Sequence, residues 1–344
     1  MEQKTHINPH TSKPFKFQPK PEFEARMNSL LKDEADKEAY WKVIHEQPVS
    51  SIRCNTLKIT PQELLKKFEE KNWKIKVPFK QHPEIMIIES DLKPGELGRS
   101  KEHLLGYYYV QEISSMLPIL ALKPTKEDSF VDLCASPGSK TTQAAAMMEN
   151  KGNIIANDDN LGRMIILASN LEKCGVSNTL VMRHGGVQLC EKLRKLDFQV
   201  DKILVDAPCS GEGTIRSSPK TLLMWNEKMI KVFSRIQKSL ASAAIELLKE
   251  NGEMIYSTCT HAPEENEEII QHLLDNYNIK IEDVKKELPV KARDGLTSWN
   301  GKDFSPEIKK CARIYPQDNN TEGFFVCKIK KLPVKTKEGD EDDK

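Results

Sequence analysis

Between residues 129 and 258 the chain repeats one pattern: a short apolar run, a polar turn, then apolar positions spaced three and four apart. The runs FVDLC, NIIAND, TLVMRH, KILVDAP and EMIYST are brief and nearly continuous in apolar residues, with no regular polar alternation. They predict strands of a parallel sheet covered on both faces by the helices between them. The expected fold class is α/β, with a doubly wound sheet. Upstream the rhythm changes. From Glu22 the residues read helix (EFEARMNSLL), helix (EADKEAYWKVIHEQ), strand (SIRCNTLK), helix (TPQELLKKFEEKNW), then strands near Ile75 and over Ile85–Ile88. That mixture predicts a small α+β domain over 22–105. The Gly- and Pro-bearing stretch DLKPGELGRS connects it to a larger unit over 106–332. After Pro263 a helix through Leu274 and a last strand, EGFFVCKI, complete the order. Residues 1–21 are polar and aperiodic and read as a flexible arm, and 333–344 as a charged, disordered tail. No internal repeat is present.

Composition narrows the classes. A chain of 344 residues with 38% apolar content can bury a full core. Its 52 basic and 51 acidic residues leave a net charge of +1, so any surface for a polyanion must be a local patch. The eight cysteines form no C-x-x-C pair, which argues against a zinc site or a redox dithiol. No metal site is expected, and reduced thiols point to a cytoplasmic protein. No apolar run approaches the roughly 20 residues that span a bilayer, and the first residues lack the apolar core of a signal peptide. Nothing in the sequence speaks to oligomeric state, and a monomer is assumed.

The first strand of the larger unit runs into DLCASPGSKTT, a tight turn around Gly138 ahead of a helix. Main-chain N–H groups and a helix N-terminus would face a ligand there. Asp158 ends NIIAND about 20 residues later, where an acidic side chain reaches ribose hydroxyls. It also precedes a helical run, as an N-cap would, and the two roles are compatible. G-x-G-x-x-G is absent, which disfavours a dinucleotide and favours a nucleoside cofactor without a pyrophosphate.

The fourth strand ends in DAPCSGEGTIR and the fifth in YSTCTHAPEEN, so Cys209 and Cys259 both stand at the C-terminal edge of the sheet. Singly each is most simply a buried structural cysteine. Two at adjacent strand ends point to thiol chemistry. Carbon 5 of cytosine is too weak a nucleophile to take a methyl from a sulfonium, and a thiolate added at carbon 6 makes it enamine-like. Cys259 is the candidate nucleophile. Cys209 is placed to help release the product, and Asp206 to contact the amidine edge of the base and supply a proton at ring nitrogen 3. The plain alternative for Asp206 is a strand-end cap.

At these residues the chain resembles the Sun/RsmB family of RNA cytosine-5 methyltransferases, and most of all its archaeal transfer-RNA branch. The likeness runs over about residues 50–330, through SIRCNTLK, GYYYVQEISSMLP, DLCASPGSKTTQ, IIAND, DAPCSGEGTIR, YSTCT with PEENE, and TEGFFV. It implies a Rossmann-like methyltransferase domain preceded by a small RRM-like domain, with S-adenosyl-L-methionine as cofactor and RNA as partner, transfer RNA ahead of ribosomal RNA. It implies that Cys134, Ala135, Ser136, Pro137, Gly138, Ser139 and Lys140 hold the cofactor, with Asp158 on the ribose and Arg163 and Asp206 lining the site. It also implies Cys259 as nucleophile and Cys209 as releasing thiol. One departure stands out: the family usually ends its third strand with an Asp that contacts the adenine amine, and VMRHGGV has Gly185 there, leaving His184 or a backbone carbonyl to substitute. The turn also reads P-G-S-K in place of the family's usual P-G-G-K.

For the RNA, Arg53, Lys58, Arg99, Lys101, Arg216 and Lys220 are candidate phosphate partners. Tyr107, Tyr108 and Tyr109 could stack on an unpaired base, although such a run more often divides between core and surface. The target cytosine must leave its stack to meet Cys259. Two competing readings remain: a non-catalytic RNA-binding scaffold of the same fold, motivated by Gly185, and an amino or protein methyltransferase. The latter needs no cysteine and usually carries a Pro-Pro-Tyr type loop where this chain has DAPCSG.

Overall fold

The computed structural model describes residues 18–333. Most of residues 1–21 and 333–344 therefore lie outside the described residues. Of the arm, Lys20 is seen donating from Nζ to the Trp225 carbonyl at 2.6 Å, directly before a helix over Pro21–Leu30.

Two sheets organise the chain. The small one is antiparallel, with strands β1 (Ser51–Cys54), β2 (Ile75–Lys76), β3 (Ile85–Ile88) and β4 (Tyr108–Val110) in the order β2-β3-β1-β4. Its core is Ile52, Leu64, Phe68, Met86 and Tyr108, sealed by the Pro61–Glu70 helix, whose Thr60 and Glu63 form a capping box. Strand β4 pairs with β1, so the small sheet reaches past residue 105. The two helices before it, Pro21–Leu30 and Glu34–Val43, do not cover that sheet. Phe23, Met27 and Tyr40 pack instead with Trp225, Ile230 and Tyr315 of the larger unit. Arg293 adds an ion pair to Asp36 at 2.6 Å.

The large sheet begins with β5 (Ser129–Asp132), β6 (Asn153–Asn157), β7 (Thr179–Met182), β8 (Val200–Asp206) and β9 (Leu248–Thr258), all parallel in the order β9-β8-β5-β6-β7. The five apolar runs are these strands. Beyond them come β10 (Ile279–Glu282), β11 (Arg293–Asp294), the short hairpin β12 (Ser298–Trp299) and β13 (Lys302–Asp303), then β14 (Ala312–Ile314) and β15 (Phe324–Lys331). β15 pairs antiparallel with β9 and carries β14 and β10 on its other side. Helices Ile113–Leu122 and Ser139–Met147 help cover one face around Phe130, Ile154 and Leu204, while Gly186–Lys195 and Glu227–Leu247 cover the other around Val131, Ile203 and Val205. The chain reverses its direction of travel across the sheet between β5 and β8. Ligands of such sheets bind outside the strand ends at that switch point.

Candidate active site

From the end of β5 the chain turns through Leu133–Gly138 into the Ser139–Met147 helix. Gly138 sits at φ +101°, a conformation L side chains rarely adopt, and an added Cβ would come within 3.0 Å of Leu167. The Ser136–Pro137 bond is cis. Ser136 and Arg163 hold each other: the hydroxyl donates to the Arg163 carbonyl at 2.8 Å and the guanidinium returns to the Ser136 carbonyl at 3.0 Å. Asp158 lies beside Arg163 at 3.3 Å and accepts from the Asn160 amide at 3.1 Å. Asn160, not Asp158, is the N-cap, accepting from the Arg163 amide.

These groups wall a cleft of about 650 Å³ that Cys134, Ser136, Asp158, Arg163, Asp206, Cys209 and Cys259 all line, with His184, Gly185 and Gln188 also on its wall. A cavity of about 300 Å³ shares Cys134, Ser136 and Asp206 and adds Ala135, Pro137, Ser139 and Lys140. Gly138 lines neither space and shapes the turn.

The Sγ atoms of Cys209 and Cys259 stand 3.3 Å apart. Each half-buried cysteine is braced by buried neighbours. On the β8 side, Glu265 accepts from the Ser210 amide at 3.0 Å and from Gln237 Nε2 at 2.8 Å, and Gln237 Nε2 also donates to the Pro208 carbonyl at 2.9 Å. On the β9 side, the Cys259 carbonyl accepts from the Gly213 amide at 2.9 Å, and the Gly213 carbonyl accepts from Gly323 at 2.8 Å. Ser210 and Thr260 hydroxyls lie 2.8 Å apart and tie the two loops together. The adjacent Cys259 thiol and burial push the Cys209 thiol well above the ordinary thiol range, so Cys209 keeps its proton at neutral pH.

Asp206 pairs with Lys140 Nζ at 2.7 Å and accepts from the Ser257 hydroxyl at 2.8 Å, while Lys140 also donates to Ser115 at 2.9 Å. An ion-paired carboxylate only accepts. Lys140 is therefore the proton-bearing member of the ion pair beside Cys134 and Asp132 on the smaller cavity's wall. Asp132 accepts from Thr141 at 2.7 Å, and burial raises its carboxyl to about 7. Its buried Oδ1 has no partner among the described residues.

Several expected RNA contacts are not available to RNA. Arg53 is buried and donates to the Gln111 side chain, to the Ser139 carbonyl at 2.7 Å and to Thr142 at 2.8 Å. Arg216 is buried against the Thr321 carbonyl at 2.9 Å and Asn320 at 2.7 Å. Lys58 and Arg99 are exposed but already engaged, Lys58 donating to the Leu105 and Lys173 carbonyls and Arg99 to that of Pro94. Lys101 and Lys220 are exposed. Tyr108 and Tyr109 are buried, their hydroxyls bonded to the Leu97 and Pro137 carbonyls, and Tyr107 is half-buried.

Sequence reading did not find Glu265, Gln237, Gly213 or Gln188. PEEN was noted as a motif without a role for its second Glu, and an ordinary Gln on a helix carries no signal. Among the described residues, no cluster of three or more His, Cys, Asp or Glu could hold a metal, and no helix is long and apolar enough to cross a membrane.

A doubly wound sheet with a nucleoside-sized cleft at its switch point is the arrangement of S-adenosylmethionine-dependent methyltransferases. Residues 119–330 match the model of the 16S rRNA methyltransferase RsmB/F family, and residues 20–113 match the N-terminal domain of 16S rRNA methyltransferase RsmF. The chain belongs to the RsmB/F family. It is 39% identical over 296 residues to the tRNA (cytosine(49)-C(5))-methyltransferase of Pyrococcus abyssi, covering 86% of this chain and 92% of that protein. It is 36% identical over 315 residues to ribosomal RNA small subunit methyltransferase F of Vibrio cholerae, and there spans 63% of the relative's length. A crystal structure of a methyltransferase homolog from Pyrococcus horikoshii superposes with a TM-score of 0.74 at 31% identity, covering 91% of this chain and 100% of that one.

Proposed function

We propose that this chain methylates carbon 5 of a cytosine in RNA, transfer RNA by preference, through a covalent bond from Cys259 to carbon 6. The observation that carries the reading is the pair of thiols 3.3 Å apart on the wall of the cleft. Transfer RNA is preferred because the match to the archaeal transfer-RNA enzyme covers 92% of that relative, against 63% for the ribosomal one. RNA substrates and reduced thiols suit the cytoplasm.

The cleft fits the cofactor. Asp158 offers acceptors for hydroxyls, the cleft is large enough for a nucleoside, and on the wall of the adjoining smaller cavity the unpartnered Oδ1 of Asp132 offers an acceptor for an ammonium group. Cys134, Ser136, Arg163 and Asp206 would complete its walls, with Ala135, Pro137, Ser139 and Lys140 on the adjoining smaller cavity and Gly138 shaping the turn. Gln188 takes the place of the missing acid: its Oε1 lies 1.8 Å from the point a Cβ at Gly185 would occupy, so an acceptor stands where the family's Asp would begin. S-adenosylmethionine supplies the electrophilic methyl.

The protein's own groups do the rest. Cys259 adds as thiolate to carbon 6 while Asp206 accepts from the exocyclic amine and Lys140 provides the proton at ring nitrogen 3. Once Cys259 is a thioether, the neighbouring thiol that most raises Cys209 is gone. Cys209 then gives its proton to solvent and, as thiolate, takes the carbon 5 proton. As the ring double bond re-forms, the proton on ring nitrogen 3 returns to Lys140 and Cys259 leaves as thiolate. Cys259→Ala abolishes transfer of tritiated methyl from S-adenosylmethionine to unmodified tRNA. Cys209→Ala accumulates a protein–RNA adduct that survives denaturing electrophoresis. Turnover retained in Cys259→Ala overturns the reading, and bisulfite sequencing of the product locates the base.

A further inference from the structure

The Glu227–Leu247 helix carries an unpaired basic stripe beside the cleft. Lys228, Lys231 and Arg235 follow the three-and-four spacing that puts side chains on one helical face. All three are exposed, and none forms an ion pair or side-chain hydrogen bond with the described residues. Glu227, four residues before Lys231, forms no ion pair with it. Lys238 continues the spacing but is half-buried near His272, on the far edge of the face.

Between this stripe and the cleft runs an apolar lip. Phe233 and Ile236 line the cleft with Cys209 and Cys259, and Val232 lies between them and the lysines in the helical projection. Val232 and Ile236 are 54% and 42% exposed. Exposed aliphatic side chains next to a reactive cleft, backed by unneutralised cations, fit a polymer with apolar faces and anionic links. The chain's net charge of +1 gives no general attraction for such a polymer, so a local stripe is what it would use.

We infer that this face is the RNA track: Lys228, Lys231 and Arg235 neutralise successive phosphates while Val232 and Ile236 support bases next to the one entering the cleft. The inference rests on the RNA methyltransferase reading above. It replaces the buried Arg53 and Arg216 as phosphate partners.

The test is the salt dependence of binding to an unmodified tRNA transcript, measured by fluorescence anisotropy on the full chain. K228A/K231A/R235A lowers the slope of log Kd against log salt by about 2–3, the share of three phosphate contacts. It raises KM for tRNA with kcat and cofactor affinity unchanged. Charge-conserving K228R/K231R/R235K keeps the wild-type slope, and V232S/I236S raises KM without altering it. An unchanged slope in the triple alanine variant, with wild-type protein methylating tRNA normally, overturns the stripe alone. A wild-type protein that binds S-adenosylmethionine but neither binds nor methylates RNA overturns the functional reading with it.

Discussion

Gln188 occupies the third position of the Gly186–Lys195 helix, and its carboxamide folds back over Gly185. A carboxamide offers both an acceptor and a donor, so it can meet the amine and a ring nitrogen of adenine together, as Gln and Asn do with adenine in nucleic acids. One such bond is worth about 1 kcal/mol, so Gln188→Ala weakens S-adenosylhomocysteine about fivefold in calorimetry. The variant also stops discriminating against S-inosylhomocysteine, in which a carbonyl replaces the amine. Equal discrimination by wild type and variant removes Gln188 from adenine recognition. Glu265 gives a second test at this scale. Burial and the nearby Glu212 raise its carboxyl to about 7, so the folded protein binds that proton more tightly than the unfolded chain. Its contribution to stability is complete below the ordinary Glu pKa of about 4.3 and is lost as pH rises through about 7. Glu265→Gln therefore flattens the fall in melting temperature between about pH 5 and 8. A curve parallel to wild type removes Glu265 as its source. Cys209 and Cys259 could be read from sequence because thiols at adjacent strand ends have few alternative uses in such a sheet. Gln188 could not, because its place over Gly185 depends on a side chain absent three residues earlier.

At the scale of elements, the thiols are set by two strand-end loops pressed together at glycines. A Cβ on Gly213 would fall 2.2 Å from the Gly323 carbonyl oxygen and 2.9 Å from that of Cys259. Those atoms are backbone and cannot swing aside. Gly213→Ala must push the Glu212–Thr214 turn away from Gly323, just ahead of β15, and from the Cys259 carbonyl after β9, at about 1–3 kcal/mol for an overpacked site. Its effect on kcat exceeds its effect on cofactor affinity, because the shift falls on Cys259 and spares Asp158 and Arg163 on the other side of the cleft. Rapid-quench methyl transfer beside calorimetric cofactor binding separates the two, and an unaltered kcat would show that Cys259 tolerates the displacement. The parallel strands were legible because strands buried on both faces need unbroken apolar runs. The two-residue strands β11, β12 and β13 have no room for a period, whereas β2 is the strand expected near Ile75. β4 was read as part of the second unit because Tyr108–Val110 has apolar residues on both faces and no turn residue marking the change of sheet.

Over the whole molecule, Arg53 joins the small sheet to the cofactor turn. From β1 it crosses to the Ser139 carbonyl and the Thr142 hydroxyl, in the first turn of the helix that follows Gly138, and Gln111 completes its shell. Burial lowers its pKa to about 10, which still leaves it charged at neutral pH. The sequence reading gave this guanidinium to phosphate because an Arg on an RRM-like strand is ordinarily solvent-facing; that β1 would be covered on both faces follows only from how the two units dock. Hydrogen bonds from a charged group contribute about 1.5–3 kcal/mol each, so removing this one costs about 3 kcal/mol or more. At about 2–4 °C per kcal/mol for a domain of this size, Arg53→Met lowers the melting temperature by on the order of 10 °C. Arg53→Lys recovers little, since a single ammonium cannot span acceptors that a planar fork reaches from two sides. Both variants weaken cofactor binding, because the turn from Cys134 to Lys140 loses its outer support. Neither changes the salt slope of tRNA binding, which separates a brace from a phosphate contact. A slope lowered by about 1 in Arg53→Met, with melting temperature unmoved, would return Arg53 to the RNA surface.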